Sequence, residues 1–221
     1  MLVGPVVLHK SPKVNQLVVI LHGYGADGDN LIDLAHSWAP HFPEADFLAP
    51  NAPEACESNP MGYQWFGLRD FTPFNVRAGL DRIRPTVVHY LKAMLQERQL
   101  GVQDLTLVGF SQGAMLALDM IFALPGLNGV LAYSGAFYPP VAAEKPVEST
   151  PVMLVHGMVD VVVPFVAMAE AERQLRLFGI TPQTEAIPHL GHGIDGHSIM
   201  LGQQFLQQLF TKQQPVFHMA Q

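Results

Sequence analysis

Short, continuous apolar runs alternate along this 221-residue chain with longer segments of helical periodicity. The apolar runs are rich in β-branched residues and predict buried strands at residues 16–23, 45–50, 104–110, 128–135, 151–157 and 183–188. The segments between them predict helices at residues 75–100, 112–124, 164–178 and 196–210, with Pro85 as a candidate kink in the first. Such alternation favours a mainly parallel twisted sheet with helices on both faces.

Composition narrows the class of protein further. An apolar content of 49% is enough for a sizeable core, and no linker or repeat divides the chain, so one domain over residues 1–221 is predicted. The net charge of −7 and the scattered Lys and Arg residues argue against a nucleic-acid partner. Cys56 is the only cysteine, which excludes an internal disulfide. Without a signal-peptide pattern or a long apolar span, we expect a cytoplasmic protein with no stable membrane insertion.

The motif G-F-S-Q-G places Ser111 between Gly109 and Gly113, where a predicted strand meets a predicted helix. A sharp strand–turn–helix junction presents a serine hydroxyl above the sheet edge, and its strained backbone requires small neighbours. A small residue in an ordinary tight turn is the alternative. The context on both sides favours Ser111 as a nucleophile and the Gln112 N–H, at the helix start, as an oxyanion donor.

A nucleophilic serine needs a histidine to remove its proton. The segment PHLGHGIDGH, after the last predicted strand, offers His189, His192 and His197. His192 is preferred because it lies between two glycines, in a loop able to bring the ring over the sheet edge. His189 is the next candidate, and His197 is expected at the start of the final helix.

The histidine in turn needs a carboxylate that fixes its tautomer. Asp160 follows a predicted strand and is the only carboxylate between Glu148 and Glu170. A turn or helix N-cap aspartate is the alternative interpretation. The resulting order Ser111, Asp160, His192 is the one expected of α/β-hydrolases.

A second oxyanion donor is expected from another loop. The segment LHGYGADGDN ends the first strong predicted strand, and its glycines allow the Tyr24 N–H to point into the site. The same segment fits a G-x-G-x-x-G dinucleotide fingerprint. That alternative is disfavoured because no acidic residue ends the next predicted strand.

The segments LHGYGADGDN, APNAP, YQWFGL, GFSQGAMLAL, HGMVDVVVP and GHGI together resemble the phospholipase/carboxylesterase family of α/β-hydrolases, which includes acyl-protein thioesterases. The resemblance implies an α/β-hydrolase fold without a large lid domain, no cofactor, and hydrolysis of small-molecule or lipid acyl esters or thioesters. It also implies that Ser111, Asp160 and His192 form the triad. The oxyanion donors would be Tyr24 and Gln112, and Trp65 and Phe66 would lie beside an acyl groove. One departure is Met158, where the family has an acidic residue.

The segment 51–74 is long, rich in turn residues and apolar. Its large apolar side chains are expected either to cover an acyl chain or to pack onto the core: Met61, Tyr63, Trp65, Phe66, Leu68, Phe71 and Phe74. Exposed aromatic residues there would also allow a homodimer. The Pro-rich connector 138–150 is interpreted as a surface loop. A carboxylesterase is the preferred function; an acyl-protein thioesterase or lysophospholipase, and a non-catalytic binding protein, are the alternatives.

Overall fold

The computed structural model describes residues 2–141 and 150–212. The helices and strands, in chain order, are β1 (Val6–Val7), β2 (Gln16–Leu21), α1 (Ile32–Trp38), β3 (Ala45–Leu48), β4 (Glu54–Ala55), β5 (Tyr63–Gln64), α2 (Pro73–Arg98), β6 (Leu105–Phe110), α3 (Gln112–Ala123), β7 (Gly129–Tyr133), β8 (Val152–Gly157), α4 (Val166–Leu177), β9 (Gln183–Ile187) and α5 (Gly196–Lys212). Each strand and each helix expected from the sequence has a counterpart among them.

Within the described residues, seven strands form one sheet in the order β1-β3-β2-β6-β7-β8-β9. Strand β1 pairs antiparallel with β3, and every other pair in this sheet is parallel. Because neighbouring parallel strands end at one edge, the loops after β2, β6, β8 and β9 meet there. That edge carries the candidate site.

The two faces of the sheet are both covered. Along β2, Leu17, Val19 and Leu21 pack into an apolar cluster with α2, α3 and α4. Val18 and Ile20 point the other way, into a cluster with α1 and α5. This alternation follows from the two-residue period of a strand, and complete burial explains why the strand is apolar at nearly every position. The predicted sheet with helices on both faces is confirmed.

Four short elements were missed by the sequence prediction. Strand β1 and the hairpin β4–β5 have only two residues each, too few to show a two-residue period. Helix α1 has seven residues and so spans barely two turns. Short elements of this kind form through tertiary packing, because their own propensity is too weak.

Helix α2 begins earlier than expected and continues through the candidate kink at Pro85 to Arg98. Thr72 caps its start, since the Thr72 hydroxyl accepts a hydrogen bond from the Asn75 N–H at 3.2 Å. Most of the connector 138–150 lies outside the described residues.

The N-terminal segment and the end of α2 are both tied to β3 through Asp46. Its carboxylate accepts from His9 Nδ1 at 2.6 Å and from Arg98 Nε at 2.7 Å. Burial on its own raises the pKa of Asp46, but the hydrogen bonds from His9 and Arg98 outweigh it, and the net pKa is lowered.

Candidate active site

Ser111 forms a one-residue junction between β6 and α3. Its backbone has φ 53° and ψ −114°, a conformation that side-chain-bearing residues rarely adopt. Such a position costs about 1–3 kcal/mol and persists only where the surrounding structure enforces it, often at a functional site. The junction was predicted from the G-F-S-Q-G motif, and the structure places Ser111 at the carboxyl edge of the sheet.

The two glycines of the motif allow a close approach of three backbones. A Cβ on Gly113 would lie 2.0 Å from the carbonyl oxygen of Leu21, at the end of β2. A Cβ on Gly109 would lie 2.3 Å from the Gly113 carbonyl oxygen. Both contacts are with backbone, which cannot move aside as a flexible side chain can. Glycine at these positions therefore lets α3 start directly over the end of β2.

Asp160 lies in the loop after β8 with its carboxylate completely buried. One oxygen, Oδ1, accepts from the N–H groups of Val162 at 2.9 Å and Val163 at 3.0 Å. The other, Oδ2, lies 2.8 Å from His192 Nδ1. The two oxygens of one carboxylate therefore have different partners: Oδ1 holds the turn together, and Oδ2 is in the position that the predicted acid requires.

Hydrogen bonding keeps this carboxylate ionised. Burial on its own raises the pKa of Asp160, yet the hydrogen bonds from His192, Val162 and Val163 outweigh it and the net pKa is lowered. An ionised Asp160 accepts a proton-bearing Nδ1, so the lone pair of neutral His192 is left on Nε2. That nitrogen is then free to accept a proton from another group.

The His192 ring lies against Phe110, with ring centroids 4.8 Å apart and planes inclined by 41°. Phe110 precedes Ser111 directly, so the imidazole sits beside the strained junction. Across the described residues, Ser111 Oγ and His192 Nε2 do not form a hydrogen bond. Hydrogen bonds between a nucleophile and its base are often long or poorly aligned before substrate binds. The other two candidate histidines do not contact Asp160. His189 is exposed with φ 61°, and His197 is exposed in the first turn of α5.

The loop after β2 runs beside Ser111. A Cβ on Gly23 would lie 3.3 Å from the Ser111 Cβ, which places the following Tyr24 N–H at the same edge. In the part of the chain that the structure describes, neither the Tyr24 N–H nor the Gln112 N–H has an acceptor in the protein. Two free amides, one from a loop and one from a helix N-terminus, form a suitable pair of donors for an anionic oxygen.

His22 was not singled out from the sequence, although it stands in the L-H-G-Y-G segment. It is completely buried, and burial lowers its pKa against the hydrogen bond to the Gly23 carbonyl. Its Nε2 accepts from the Ala52 N–H at 2.9 Å, so Nδ1 carries the proton and donates to the Gly23 oxygen at 2.7 Å. A neutral His22 thus fixes the loop that carries Tyr24.

Trp65 and Phe66 do not line a groove in this structure, because both side chains are completely buried. The Trp65 indole donates to the His22 carbonyl oxygen at 2.9 Å. The Gln112 side chain links the same segment to α3: its Oε1 accepts from the Trp65 N–H at 2.9 Å, and its Nε2 donates to the Phe66 oxygen at 2.7 Å. Trp65 and Phe66, expected beside an acyl chain, therefore connect the loop that carries Tyr24 to the start of α3.

The remaining apolar side chains of the segment 51–74 divide between surface and interior. Met61, Phe71 and Phe74 are exposed, whereas Tyr63 and Leu68 are half-buried against the core. The expected packing onto the core therefore holds for some of these residues, and the covering of an acyl chain by the others stays a prediction. Across the described residues, no helix is long and apolar enough to cross a membrane.

A second histidine at the Asp160 loop was also missed. His156, buried in β8, has Nε2 2.8 Å from the Val163 carbonyl oxygen and 3.3 Å from Asp160 Oδ2. The contact with Val163 identifies Nε2 as the protonated nitrogen. His156 therefore ties the far end of the loop to the strand before it. Its position just before Gly157 in an H-G pair was visible in the sequence, but a buried histidine has no pattern of its own.

A strained serine turn after a central strand, with an aspartate and a histidine in loops after later strands of a mostly parallel sheet, is the arrangement of an α/β-hydrolase. The family model described as Phospholipase/Carboxylesterase matches residues 3–210. The chain belongs to this family, and the predicted fold and enzyme class, a carboxylic ester hydrolase, are confirmed.

Individual relatives agree with the family. The chain is 30% identical to the esterase YpfH of Escherichia coli over 89% of this chain and 84% of the relative. The crystal structure of the esterase PE8 superimposes with a TM-score of 0.89 at 37% identity, covering 94% of this chain and 99% of PE8. A protein of Oryza sativa subsp. japonica, named a probable inactive carboxylesterase, is 26% identical over 90% of this chain and 86% of its own length.

Proposed function

We propose that this chain hydrolyses acyl esters by two-step acyl transfer, with Ser111 as nucleophile, His192 as general base and Asp160 as the orienting acid. The observation that supports it most is the 2.8 Å contact between Asp160 Oδ2 and His192 Nδ1, with the imidazole held against the residue before Ser111. Three groups from three separate loops meet at one edge of the sheet, in the chain order expected of this fold.

In the first step, Ser111 Oγ attacks the carbonyl carbon while His192 Nε2 takes its proton. The carbonyl oxygen becomes an oxyanion and binds the N–H groups of Tyr24 and Gln112, each of which contributes roughly 3 kcal/mol to the stabilisation of the transition state. The carbon–oxygen bond to the alcohol then breaks, and the alcohol takes the proton from His192. Asp160 stabilises the imidazolium without accepting its proton.

Water completes the cycle. It attacks the acyl-enzyme carbonyl, His192 takes a proton from it, and Ser111 leaves with that proton as the acid is released. The same atoms serve a thioester, with a thiol as leaving group. The acyl-protein thioesterase and lysophospholipase alternatives therefore differ from the carboxylesterase in substrate alone, and a panel of esters, thioesters and lysophospholipids distinguishes them.

The test is labelling by a fluorophosphonate together with hydrolysis of p-nitrophenyl acetate. The wild type should give an initial burst of p-nitrophenol and a single adduct on the peptide containing Ser111. The Ser111→Ala variant should give neither. The control is Ser11→Ala, since Ser11 bonds to Pro43 at the opposite, amino-terminal edge of β3.

Two results would overturn the proposal: an adduct on another residue, or near-normal turnover by Ser111→Ala. No burst and no adduct in the wild type would favour the non-catalytic alternative. We retain this alternative because one relative is named a probable inactive carboxylesterase. Against the non-catalytic alternative, this chain has all three residues of the proposed triad, Ser111, Asp160 and His192.

The setting of the enzyme is part of the same proposal. A net charge of −7 supports a protein without a nucleic-acid partner. The proposed location is the cytoplasm. Exposed Phe71 and Phe74 supply apolar surface for a homodimer. Cell fractionation tests the location, and light scattering of the purified chain with Phe74→Ser as comparison tests the dimer.

A further inference from the structure

A cavity of about 420 Å³ lies beside His192 on the α1 and α5 side of the sheet. Gly23, Phe110 and His192 are among its lining residues, and all three border the Ser111 junction. Its size lies within the range of small-molecule pockets, which is roughly 300–1,000 Å³. None of the residues expected to contact a substrate from the sequence belongs to this cavity apart from His192.

The lining of the cavity is mainly apolar. Leu31, Leu34, Ile194 and Ile199 form its walls, and polar side chains from exposed positions, Asn30, Asp33 and Ser37, stand towards its rim. Asp33 contributes a negative charge, and no Lys or Arg is among the lining residues. An apolar or uncharged group is therefore favoured inside, and an anionic group such as a phosphate is disfavoured.

We propose that this cavity is the subsite for the alcohol portion of the ester, and that it selects uncharged, mainly apolar alcohols. The inference rests on the proposed function, because it assigns a place to the leaving group of that reaction. When the carbon–oxygen bond breaks, the acyl group stays on Ser111 Oγ, and the alcohol oxygen takes the proton from His192 Nε2. The alcohol must therefore lie against the His192 ring, and this ring forms one wall of the cavity.

The two faces of the sheet separate the alcohol from the acyl group. Phe110, which lines the cavity, packs with the α1 and α5 cluster. Trp65 and Phe66 belong to the cluster on the opposite face, with α2 and α3. Ser111 stands between the two faces at the end of β6. An ester that places its alcohol on the α1 and α5 side thus directs its acyl chain towards the segment 51–74.

The test uses two series of esters that differ on one side of the ester bond only. Acetate esters of methanol, butanol and hexanol vary the alcohol, and methyl esters of acetic, butanoic and hexanoic acid vary the acyl chain. The quantity compared is kcat/KM, because it covers the acylation step, in which the alcohol leaves. Wild type, Ile199→Trp, Ser37→Trp and Met200→Trp are measured with both series.

Ile199→Trp should fill the cavity and lower the ratio of kcat/KM for hexyl acetate over methyl acetate by about tenfold or more. The ratio of methyl hexanoate over methyl acetate should change less than about twofold. Met200→Trp is the control on the next position of α5, 45% exposed and outside the cavity lining, and should move neither ratio. Ser37→Trp repeats the test from an exposed position of α1, where folding is less sensitive to size.

Charge gives an independent arm of the test. The wild type should hydrolyse hexyl acetate faster than an analogue of equal length whose alcohol chain ends in a carboxylate. Asp33→Lys should narrow this difference, whereas Asp29→Lys, an exposed site outside the lining, should leave it unchanged.

The outcomes separate the two proposals. If the wild type hydrolyses the esters and both cavity variants leave the alcohol ratio unchanged, or lower the acyl ratio in its place, the subsite assignment is wrong and the proposed function stands. If the wild type hydrolyses none of the esters, the proposed function fails and the subsite fails with it.

Discussion

The side chain of Gln112 links α3 to the segment 51–74, and the Trp65 indole links that segment to the loop that carries Tyr24. Removal of the Gln112 side chain should loosen both segments that are proposed to supply the oxyanion donors. Gln112 is completely buried at the start of α3. Through two hydrogen bonds, at 2.9 and 2.7 Å, it satisfies the Trp65 N–H and the Phe66 carbonyl oxygen. Gln112→Leu keeps the backbone amide proposed to bind the oxyanion, and removes only the link to the segment 51–74.

The expected cost follows from the two groups left without a partner. A buried donor or acceptor without a partner costs about 1–3 kcal/mol, so the pair costs about 2–6 kcal/mol. Burial of the leucine side chain returns about 1–2 kcal/mol, so the middle of the two ranges leaves a net loss of roughly 2.5 kcal/mol in the free energy of unfolding. For a chain of this length the melting temperature should fall by roughly 5–10 °C.

Thermal unfolding followed by circular dichroism measures the stability, and kcat/KM on p-nitrophenyl acetate measures the site. Gln204→Leu, at an exposed position of α5, is the matched control and should melt with the wild type. We expect Gln112→Leu to lose activity at temperatures where it remains folded, because the donors are no longer held in place. A melting temperature within about 1 °C of wild type would show that the two hydrogen bonds do not stabilise the junction.

Three further substitutions test separate parts of the structure. Asp160→Asn should lower kcat by about 10³–10⁴-fold with little change in secondary structure, because an amide no longer fixes the His192 tautomer; steady-state kinetics and circular dichroism check this. Asp46→Asn should lower the free energy of unfolding near neutral pH, because the native pKa of Asp46 lies below its ordinary value of 3.8. The difference in free energy from wild type should be full above pH 3.8 and vanish as the pH falls below that value. Urea titrations at several pH values measure it. Gly79→Ala would place a Cβ 2.6 Å from the buried Phe66 ring, and a loss of about 1–3 kcal/mol should appear in the urea midpoint.

The parts of the molecule that the sequence predicts are those set by local pattern. The strand before Ser111, the helix after it and the two glycines are neighbours in the chain, so one short motif contains the whole junction. Long apolar strands and long amphipathic helices are visible for the same reason. The choice of His192 over His189 and His197 rested on its glycine neighbours, and the structure brings His192 alone of the three to Asp160.

What the sequence did not predict depends on contacts between distant segments. The family resemblance implied a place beside an acyl groove for Trp65 and Phe66, yet both side chains are buried, and their backbone is hydrogen-bonded to Gln112, which lies 46 or more residues away in the chain. His22 and His156 are buried and hydrogen-bonded to Ala52 and Val163, and a polar residue at or just after the end of a strand gives no sign of such partners. Buried polar networks of this kind are specific to the tertiary structure.

Met158, the departure from the family pattern, can be understood from the backbone. The Met158 N–H donates to the Ile187 oxygen at 3.0 Å, and the Val159 N–H donates to the Leu190 oxygen at 3.1 Å. These bonds join the loop that carries Asp160 directly to the segment that leads to His192. The position of Asp160 relative to His192 therefore does not depend on the side chain at position 158. That side chain is 49% exposed, which lets an apolar residue replace an acid without leaving a buried polar group unpaired.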